Sequence, residues 1–199
     1  MHLINALKHM IKLAILASGS GSNAENIVNY LSNNKRIIVD SIISNKPDAY
    51  VHERAKKLGI ESFTFSKSDF AETGKVLDFI RERGTDFIIL AGFLLKIPKN
   101  LIDAFPDKIV NIHPALLPKF GGKGMYGDNV HKAVVASGER ESGITVHYVN
   151  ENYDEGNIIF QARCPVLPTD TYENVAAKVH ELEYEHFPRV IVEVLQNTK

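Results

Sequence analysis

Residues Ile109–Lys119 read Ile-Val-Asn-Ile-His-Pro-Ala-Leu-Leu-Pro-Lys, and the predicted fold is organised around them. The apolar first part, Ile109–His113, predicts a buried strand, the fifth of the chain, which the prolines end because proline lacks a backbone N–H and disfavours a helical residue before it. Side chains alternate between the faces of a strand, so we expect Asn111 and His113 on one face. Open α/β sheets bind ligands at the carboxyl ends of their strands, so this pair is a candidate site. The alternative is a satisfied pair of buried polar residues.

Strand and helix patterns alternate before this segment. Apolar runs predict strands, and apolar residues at helical spacing predict the helices between them. The predicted strands are 12–17, 37–43, 61–65 and 87–91, and the predicted helices are 24–31, 50–58 and 76–83. This order predicts the α/β class, with a mostly parallel, doubly wound, Rossmann-like sheet. The runs 143–150 and 157–164 predict a C-terminal antiparallel hairpin, and a long helix from Thr171 closes the chain.

The length, charge and cysteine content of the chain limit which classes of protein and which partners are expected. A chain of 199 residues with 44% hydrophobic and 24% charged residues predicts a single domain over 1–199, with 1–9 as an N-terminal extension. A formal charge of −1 predicts no nucleic-acid partner and no membrane-surface binding, so we expect small-molecule substrates. One cysteine, Cys164, excludes an intramolecular disulfide and fits a reducing compartment. No secretory signal is recognisable, and a cytoplasmic location is expected.

A glycine-rich turn follows the first predicted strand. The segment Ser18–Asn23 reads Ser-Gly-Ser-Gly-Ser-Asn and opens a predicted helix. Gly19, Gly21 and the free N–H groups near Ser22 and Asn23 form a cradle for an anion at the positive end of the helix dipole, which favours binding of a phosphate. The third glycine of the dinucleotide-binding fingerprint is missing. The alternative is a capping box, because Ser22 and Glu25 match the pattern S-x-x-E.

Three further side chains belong to the candidate site or its surroundings. Asp154 lies in the hairpin loop, and we expect it to hold the tautomer of His113 and to raise the pKa of that imidazole. The alternative for Asp154 is an ordinary turn residue. His147 has no spaced Cys, Asp or Glu partners, so we interpret it as a core or supporting histidine and predict no metal site. Glu183 lies near the packed face of the last helix, where it needs a partner or lies at the rim.

Several motifs at matching spacings resemble those of the phosphoribosylglycinamide formyltransferase family, folate-dependent enzymes of purine synthesis. They are S-G-S-G-S-N, A-G-F, N-I-H-P-A-L-L-P-K, G-I-T-V-H and D-E-G-N-I-I, and the similarity runs from residue 10 to about 194. The resemblance implies transfer of the formyl group of 10-formyltetrahydrofolate to the amine of glycinamide ribonucleotide. That reaction needs hydrogen-bond donors at a developing oxyanion, and we expect Asn111 and protonated His113 to supply them.

The resemblance also implies roles for individual residues. The implied catalytic residues are Asn111, His113 and Asp154. The implied substrate-binding residues are Gly21, Ser22 and Asn23 at the phosphate, with Glu183. The implied folate-pocket residues are Leu94, Leu95, Lys96 and Ile97, together with Asn111.

This sequence departs from the family pattern in two places. Many relatives carry a basic residue directly after A-G-F-M, whereas here the segment reads Leu94-Leu-Lys96. A basic folate contact expected upstream falls near Thr73, with Lys75 close by. The loop 121–129 is longer than in several relatives, and its glycines predict a mobile flap over the site.

Three alternative functions remain at this stage. A formyltetrahydrofolate hydrolase shares the catalytic trio but usually carries an N-terminal regulatory domain, for which nine residues leave no room. A methionyl-tRNA formyltransferase is expected to need a basic C-terminal domain for its RNA. A non-catalytic nucleotide-binding module would use the glycine turn without His113 or Asp154.

Overall fold

The computed structural model describes residues 10–197, so the predicted extension 1–9 lies outside the described residues. Within this range, strands and helices alternate along most of the chain. The strands are β1 Ile11–Leu16, β2 Ile37–Ser44, β3 Ser62–Thr64, β4 Phe87–Leu90, β5 Ile109–His113, β6 Glu141–Tyr148 and β7 Ile158–Pro165. The helices are α1 Ser22–Leu31, α2 Val51–Leu58, α3 Lys67–Ala71, α4 Lys75–Glu82, α5 Lys99–Ala104, α6 Asp128–Ala136 and α7 Tyr172–Asn197.

All seven strands form one sheet, in the order β3-β2-β1-β4-β5-β6-β7. The first five in this order are parallel, β6 is antiparallel to β5, and β7 is antiparallel to β6. The predicted α/β class, the hairpin and the long closing helix are therefore confirmed. In the β5–β6 register, Asn111 lies opposite His147 and His113 lies opposite Thr145.

Apolar side chains cover both faces of the sheet. One core cluster contains Val110 and Ile112 and packs under α1, α2 and α7, where Phe187 is fully buried. The other contains Ile109 and packs under α3, α4 and α5. This division follows the alternation of side chains along β5, and it leaves Asn111 and His113 on the face of Ile109. Among residues 10–197, no helix combines the length and the apolar character needed to cross a membrane.

Three helices were not predicted from the sequence. The short helices α3 and α5 each bury one apolar residue, Phe70 and Leu101, so neither shows a helical period. A capping box between Ser66 and Asp69 begins α3. The third helix, α6, begins at Asp128, inside the segment 121–129 that was interpreted as a loop.

Candidate active site

A cavity of about 680 Å³ lies at the carboxyl ends of the parallel strands. This volume is within the range of about 300–1,000 Å³ that is typical of small-molecule and cofactor sites. Every site residue expected from the sequence lines it: Gly21, Ser22, Asn23, Leu94, Leu95, Lys96, Ile97, Asn111, His113, Asp154 and Glu183. The fold thus brings together residues more than 160 positions apart, while their individual roles stay predictions.

Asn111 is oriented by a histidine on the neighbouring strand. Its Nδ2 donates to His147 Nε2 at 3.1 Å, and His147 Nδ1 donates to the carbonyl of Tyr148 at 2.8 Å. Since a carbonyl only accepts, the second bond places a proton on Nδ1 and leaves Nε2 as the acceptor for the amide. His147 is therefore a supporting histidine, as expected, and one N–H of the Asn111 amide is left for the cavity.

His113 is buried, with 3% of its surface exposed, and its ring is held from both sides. Its Nε2 donates to the carbonyl of Phe120 at 2.7 Å, and its Nδ1 lies 3.6 Å from Asp154 Oδ2. Burial lowers the pKa of His113, and the charge of Asp154 and the Phe120 carbonyl offset only part of that effect. Asp154 therefore raises the pKa of His113 as expected, but desolvation of the ring outweighs that effect, so the expectation of a protonated His113 is wrong.

Asp154 lies between the two imidazoles. Its backbone has a φ of 56°, and its Oδ2 accepts a hydrogen bond from the N–H of Gly122 at 2.9 Å. Its Oδ1 lies 3.6 Å from His147 Nε2. Burial raises the pKa of Asp154, but His147, His113 and the Gly122 amide outweigh it and hold that pKa below its ordinary value. Asp154 is therefore an anion beside a neutral His113, and more than a turn residue.

The segment after β5 is fixed by a threonine that sequence reasoning did not single out as functional. Thr145 Oγ1 accepts from the N–H of Leu117 at 3.0 Å and donates to the carbonyl of Ala115 at 2.7 Å. Gln161 donates to the Leu117 carbonyl and to the same hydroxyl. These bonds, with the prolines, hold the turn that follows His113. The available signal was the alternation of side chains along the predicted strand 143–150, which puts Thr145 and His147 on one face.

The glycine turn is braced by helix α2 instead of a capping box. Gly21 is the N-cap of α1 with a φ of 74°, and no side chain caps this helix start. The carboxylate of Glu25 pairs with Arg54, whose Nε also donates to the carbonyl of Ser20 at 2.9 Å. The capping-box alternative is therefore wrong, because Arg54 takes the carboxylate that the box requires. The start of α1 keeps the geometry expected for a phosphate site.

Glu183 connects the glycine turn to the long helix α7. Its Oε2 accepts from Asn23 Nδ2 at 2.8 Å and from His180 Nδ1 at 2.9 Å. Only 12% of its side chain is exposed. Glu183 is thus a partnered carboxylate at the cavity wall, and the interpretation as a rim residue is wrong.

The opposite wall of the cavity is more apolar and follows β4. Ile97 is buried and Leu94 is 40% exposed, while the N–H of Leu94 is held by Ser18 Oγ at 2.9 Å. Lys96 Nζ lies 5.8 Å from the ring centre of Tyr153, across the cavity mouth. Lys75 pairs with Asp69 at 3.0 Å and does not line the cavity. The upstream basic contact is therefore absent from the lining formed by residues 10–197.

With this geometry in view, similarity to known proteins identifies the family. The family model described as formyl transferase matches residues 11–191. This chain belongs to the formyl transferase family. It is 43% identical over 188 residues to the chloroplastic phosphoribosylglycinamide formyltransferase of Arabidopsis thaliana, covering 90% of this chain and 64% of that protein. It is 36% identical over 187 residues to the phosphoribosylglycinamide formyltransferase of Haemophilus influenzae, covering 92% and 86%.

Solved structures of formyl transferases share the fold. Glycinamide ribonucleotide transformylase 1 of Symbiobacterium toebii superposes with a TM-score of 0.84 at 32% identity, covering 92% of this chain and 86% of that one. The Geobacillus kaustophilus protein of the same name gives 0.83 at 36% identity, covering 92% and 97%. The chain spans less than two thirds of its Arabidopsis and Vigna unguiculata relatives, 64% and 59% of their lengths.

Proposed function

We propose that this formyl transferase moves the formyl group of 10-formyltetrahydrofolate to the amine of glycinamide ribonucleotide, a step of purine biosynthesis. The observation that carries the proposal is one cavity in which His113, Asp154 and Asn111 lie at the end of β5 and the glycine turn lies at the start of α1. A phosphorylated amine bound at the turn could then extend toward His113. The names of the bacterial and plant relatives support the same reaction.

The glycine turn and the β4 wall divide the substrates between them. The N-terminal end of α1 offers backbone N–H groups and a positive dipole to the phosphate of the ribonucleotide. The apolar segment Leu94–Ile97 suits the flat ring of the folate, with Asn111 at the boundary between the two parts. This division keeps the two reactants on opposite sides of His113.

His113 acts as the proton carrier. Transfer forms a bond between the amine nitrogen and the formyl carbon and breaks the bond from that carbon to the folate N10. The amine loses a proton and N10 gains one. Because burial lowers its pKa, His113 is neutral at pH 7 and its Nδ1 can take the amine proton. Asp154 then stabilises the imidazolium until the proton passes to N10.

Asn111 stabilises the negative oxygen of the tetrahedral adduct. Its amide is held in place by His147, so its second N–H meets the developing charge without first reorienting. Loss of one such donor costs about 2.7–4 kcal/mol of transition-state stabilisation. This assignment differs from the first expectation, in which His113 was a second donor in its protonated form.

The decisive assay mixes the protein with 10-formyltetrahydrofolate and follows loss of the formyl donor with and without glycinamide ribonucleotide. We expect loss that depends on the amine, together with formylated product. Loss without the amine would indicate a hydrolase, and formylation of methionyl-tRNA alone would indicate the tRNA enzyme.

A His113→Ala variant distinguishes an enzyme from a nucleotide-binding module. We expect kcat to fall by about 10²- to 10⁴-fold, the usual contribution of a positioned acid or base. Binding of the ribonucleotide should persist, because its phosphate is held at the glycine turn. A parent protein that binds the ribonucleotide as tightly as His113→Ala but never transfers a formyl group would support the module.

We also propose a cytoplasmic location for this protein. The support is its single cysteine, which fits a reducing compartment.

A further inference from the structure

Ser18 is a buried serine just beyond the carboxyl end of β1, where the glycine-rich turn begins. Only 2% of its surface is exposed, and it does not line the cavity, although Gly19–Asn23 do. Its Oγ donates to Asn45 Oδ1 at 2.6 Å and accepts from the N–H of Leu94 at 2.9 Å. Its own N–H donates to the carbonyl of Gly92 at 3.0 Å. One residue therefore joins the segments that follow three neighbouring strands, β1, β2 and β4.

The partners of the Ser18 hydroxyl fix where its proton points. A backbone N–H only donates, so the bond with Leu94 uses the serine oxygen as an acceptor. The serine proton is then left for Asn45 Oδ1, which accepts it. The side chain of Asn45 forms no other hydrogen bond with residues 10–197. Asn45 therefore orients the hydroxyl so that its oxygen faces the N–H of Leu94.

Ser18 holds the chain after β4 at the point where the sheet ends. The β1–β4 register stops at Leu90, and the chain turns away at Gly92, whose φ is 73°. Beyond this turn the two bonds with Ser18 replace the ladder, one at Gly92 and one at Leu94. No hydrogen bond ties the backbone of 95–97 to another of the residues 10–197. The N–H of Leu94 is thus the last hydrogen-bonded anchor of the apolar cavity wall before α5.

This wall, Leu94–Ile97, starts beside the reaction end of the cavity. Leu90 lies opposite Asn111 in the β4–β5 register, so the segment after β4 leaves the sheet next to the Asn111 amide. A displaced wall would move its ligand relative to Asn111. Small displacements of this kind slow a reaction, because the reacting atoms no longer meet in the productive geometry.

The glycine turn has anchors of its own that do not involve the Ser18 hydroxyl. The N–H of Val51 donates to the carbonyl of Gly19 at 3.1 Å, and Arg54 Nε donates to the carbonyl of Ser20 at 2.9 Å. Loss of the hydroxyl should therefore displace the wall after β4 and leave the phosphate side of the cavity in place.

We propose that Ser18 is a positioning residue for the folate, because its hydroxyl, oriented by Asn45, fixes the start of the wall Leu94–Ile97. That the ligand of this wall is a folate rests on the proposed function, whereas the anchoring of the wall does not. Ser18 acts through the backbone of Leu94 and contacts no reactant. The alternative is a buried serine that contributes only to folding.

The test compares the parent protein with four variants. Ser18→Ala removes both bonds of the hydroxyl, Asn45→Leu removes only its acceptor, and Asn45→Asp keeps an oxygen that accepts from Ser18. Ser66→Ala is the matched control. Ser66 Oγ also accepts from a backbone N–H, that of Asp69 at 3.1 Å, and donates to a side-chain oxygen, Asp69 Oδ2 at 2.7 Å. It precedes α3 and does not line the cavity.

We expect both serine variants to melt about 2–8 °C lower, since each loses one or two hydrogen bonds. Only Ser18→Ala should exchange the Leu94 amide hydrogen faster, by about 10-fold in NMR exchange measurements. It should also raise the KM for 10-formyltetrahydrofolate and the calorimetric Kd for tetrahydrofolate by about 3- to 10-fold, the effect of one hydrogen bond. The KM for the ribonucleotide should not change. Asn45→Leu should act like Ser18→Ala but less strongly, and Asn45→Asp should match the parent.

Several results would overturn the proposal. If the folate KM of Ser18→Ala equals that of the parent, or rises no more than the ribonucleotide KM, Ser18 is only structural. An equal rise in Ser66→Ala would attribute the effect to lower stability.

If Ser18→Ala does not fold, the Asn45 variants decide the question. A raised folate KM in Asn45→Leu that Asn45→Asp restores would support the proposal, and a folate KM at the parent value in Asn45→Leu would refute it. A parent that transfers no formyl group, with faster exchange of the Leu94 amide in Ser18→Ala or Asn45→Leu, would refute the proposed reaction and leave the anchoring of the wall standing.

Discussion

Replacing Gly21 by alanine tests whether the glycine turn is the phosphate site. A Cβ on Gly21 would lie 2.3 Å from Val51 Cγ2, 2.6 Å from Val51 Cβ and 2.9 Å from Val51 Cα. Carbon atoms that pack well are separated by about 3.5–4.0 Å, so the turn has to move by more than about 1 Å away from α2. The last of these atoms is backbone, so a change of side-chain rotamer does not relieve the contact.

The cost has two parts. A non-glycine residue at a φ of 74° costs about 1–2 kcal/mol, and overpacking against Val51 costs about 1–3 kcal/mol more. The sum of about 2–5 kcal/mol is below the usual stability of about 5–15 kcal/mol, so the variant should fold. At about 2–4 °C for each kcal/mol in a chain of this size, the melting temperature should fall by about 4–20 °C.

The displacement should appear mainly in substrate binding. A misplacement of about 1 Å can lower the rate of an enzyme by about 10²-fold. Since the group displaced here belongs to the substrate site, we expect the loss to appear as a rise of about 10- to 100-fold in the KM for the ribonucleotide. The KM for 10-formyltetrahydrofolate should change much less, because the folate wall follows β4. Steady-state kinetics with each substrate varied in turn, at a temperature below the melting transition, gives both values.

Gly59→Ala is the matched control. Gly59 ends α2 with a φ of 69°, and no atom lies within 4 Å of its would-be Cβ. It should lose about 1–2 kcal/mol through backbone strain and keep both KM values. If Gly21→Ala melts like Gly59→Ala with both KM values unchanged, the packing against Val51 or the phosphate assignment is wrong. A rise in the folate KM alone would mean that the two substrate positions are exchanged.

Three further predictions concern the residues around His113 and the turn. Asp154→Asn removes the negative charge that raises the pKa of His113, so the acid limb of the pH profile of kcat should move to lower pH. Because the imidazolium also loses its stabilising partner, kcat at pH 7 should fall by about 10²-fold. An unshifted pH profile at full kcat would contradict this prediction. His147→Leu leaves the Asn111 amide unpaired, so kcat should fall by about 10-fold or more with the ribonucleotide KM unchanged. Arg54→Lys keeps the charge facing Glu25 but loses the planar fork that also holds the Ser20 carbonyl, so the ribonucleotide KM should rise by about 3- to 10-fold with the folate KM constant.

Local signals in the sequence were enough to predict the strands of the sheet. The bounds of β5 were predicted residue for residue, because an apolar run stopped by a proline is a signal carried by neighbouring residues. The helix α6 was missed because the glycines before it indicate a loop and its own apolar period is short. The Ser22–Glu25 capping box was wrong because Arg54, 29 positions from Glu25, takes the carboxylate.

The sequence by itself determined the order of the strands, the parallel sheet with its hairpin, and the placement of Asn111 and His113 on one face at the end of β5, because periodicity and strand ends depend on residues close in the chain. Only the tertiary structure decided the protonation of His113, since the burial that lowers its pKa comes from the whole fold. The pairing of Asn111 with His147 depends on strand register. Desolvation and hydrogen-bond pairing are properties of three-dimensional neighbours, so no local pattern carries them.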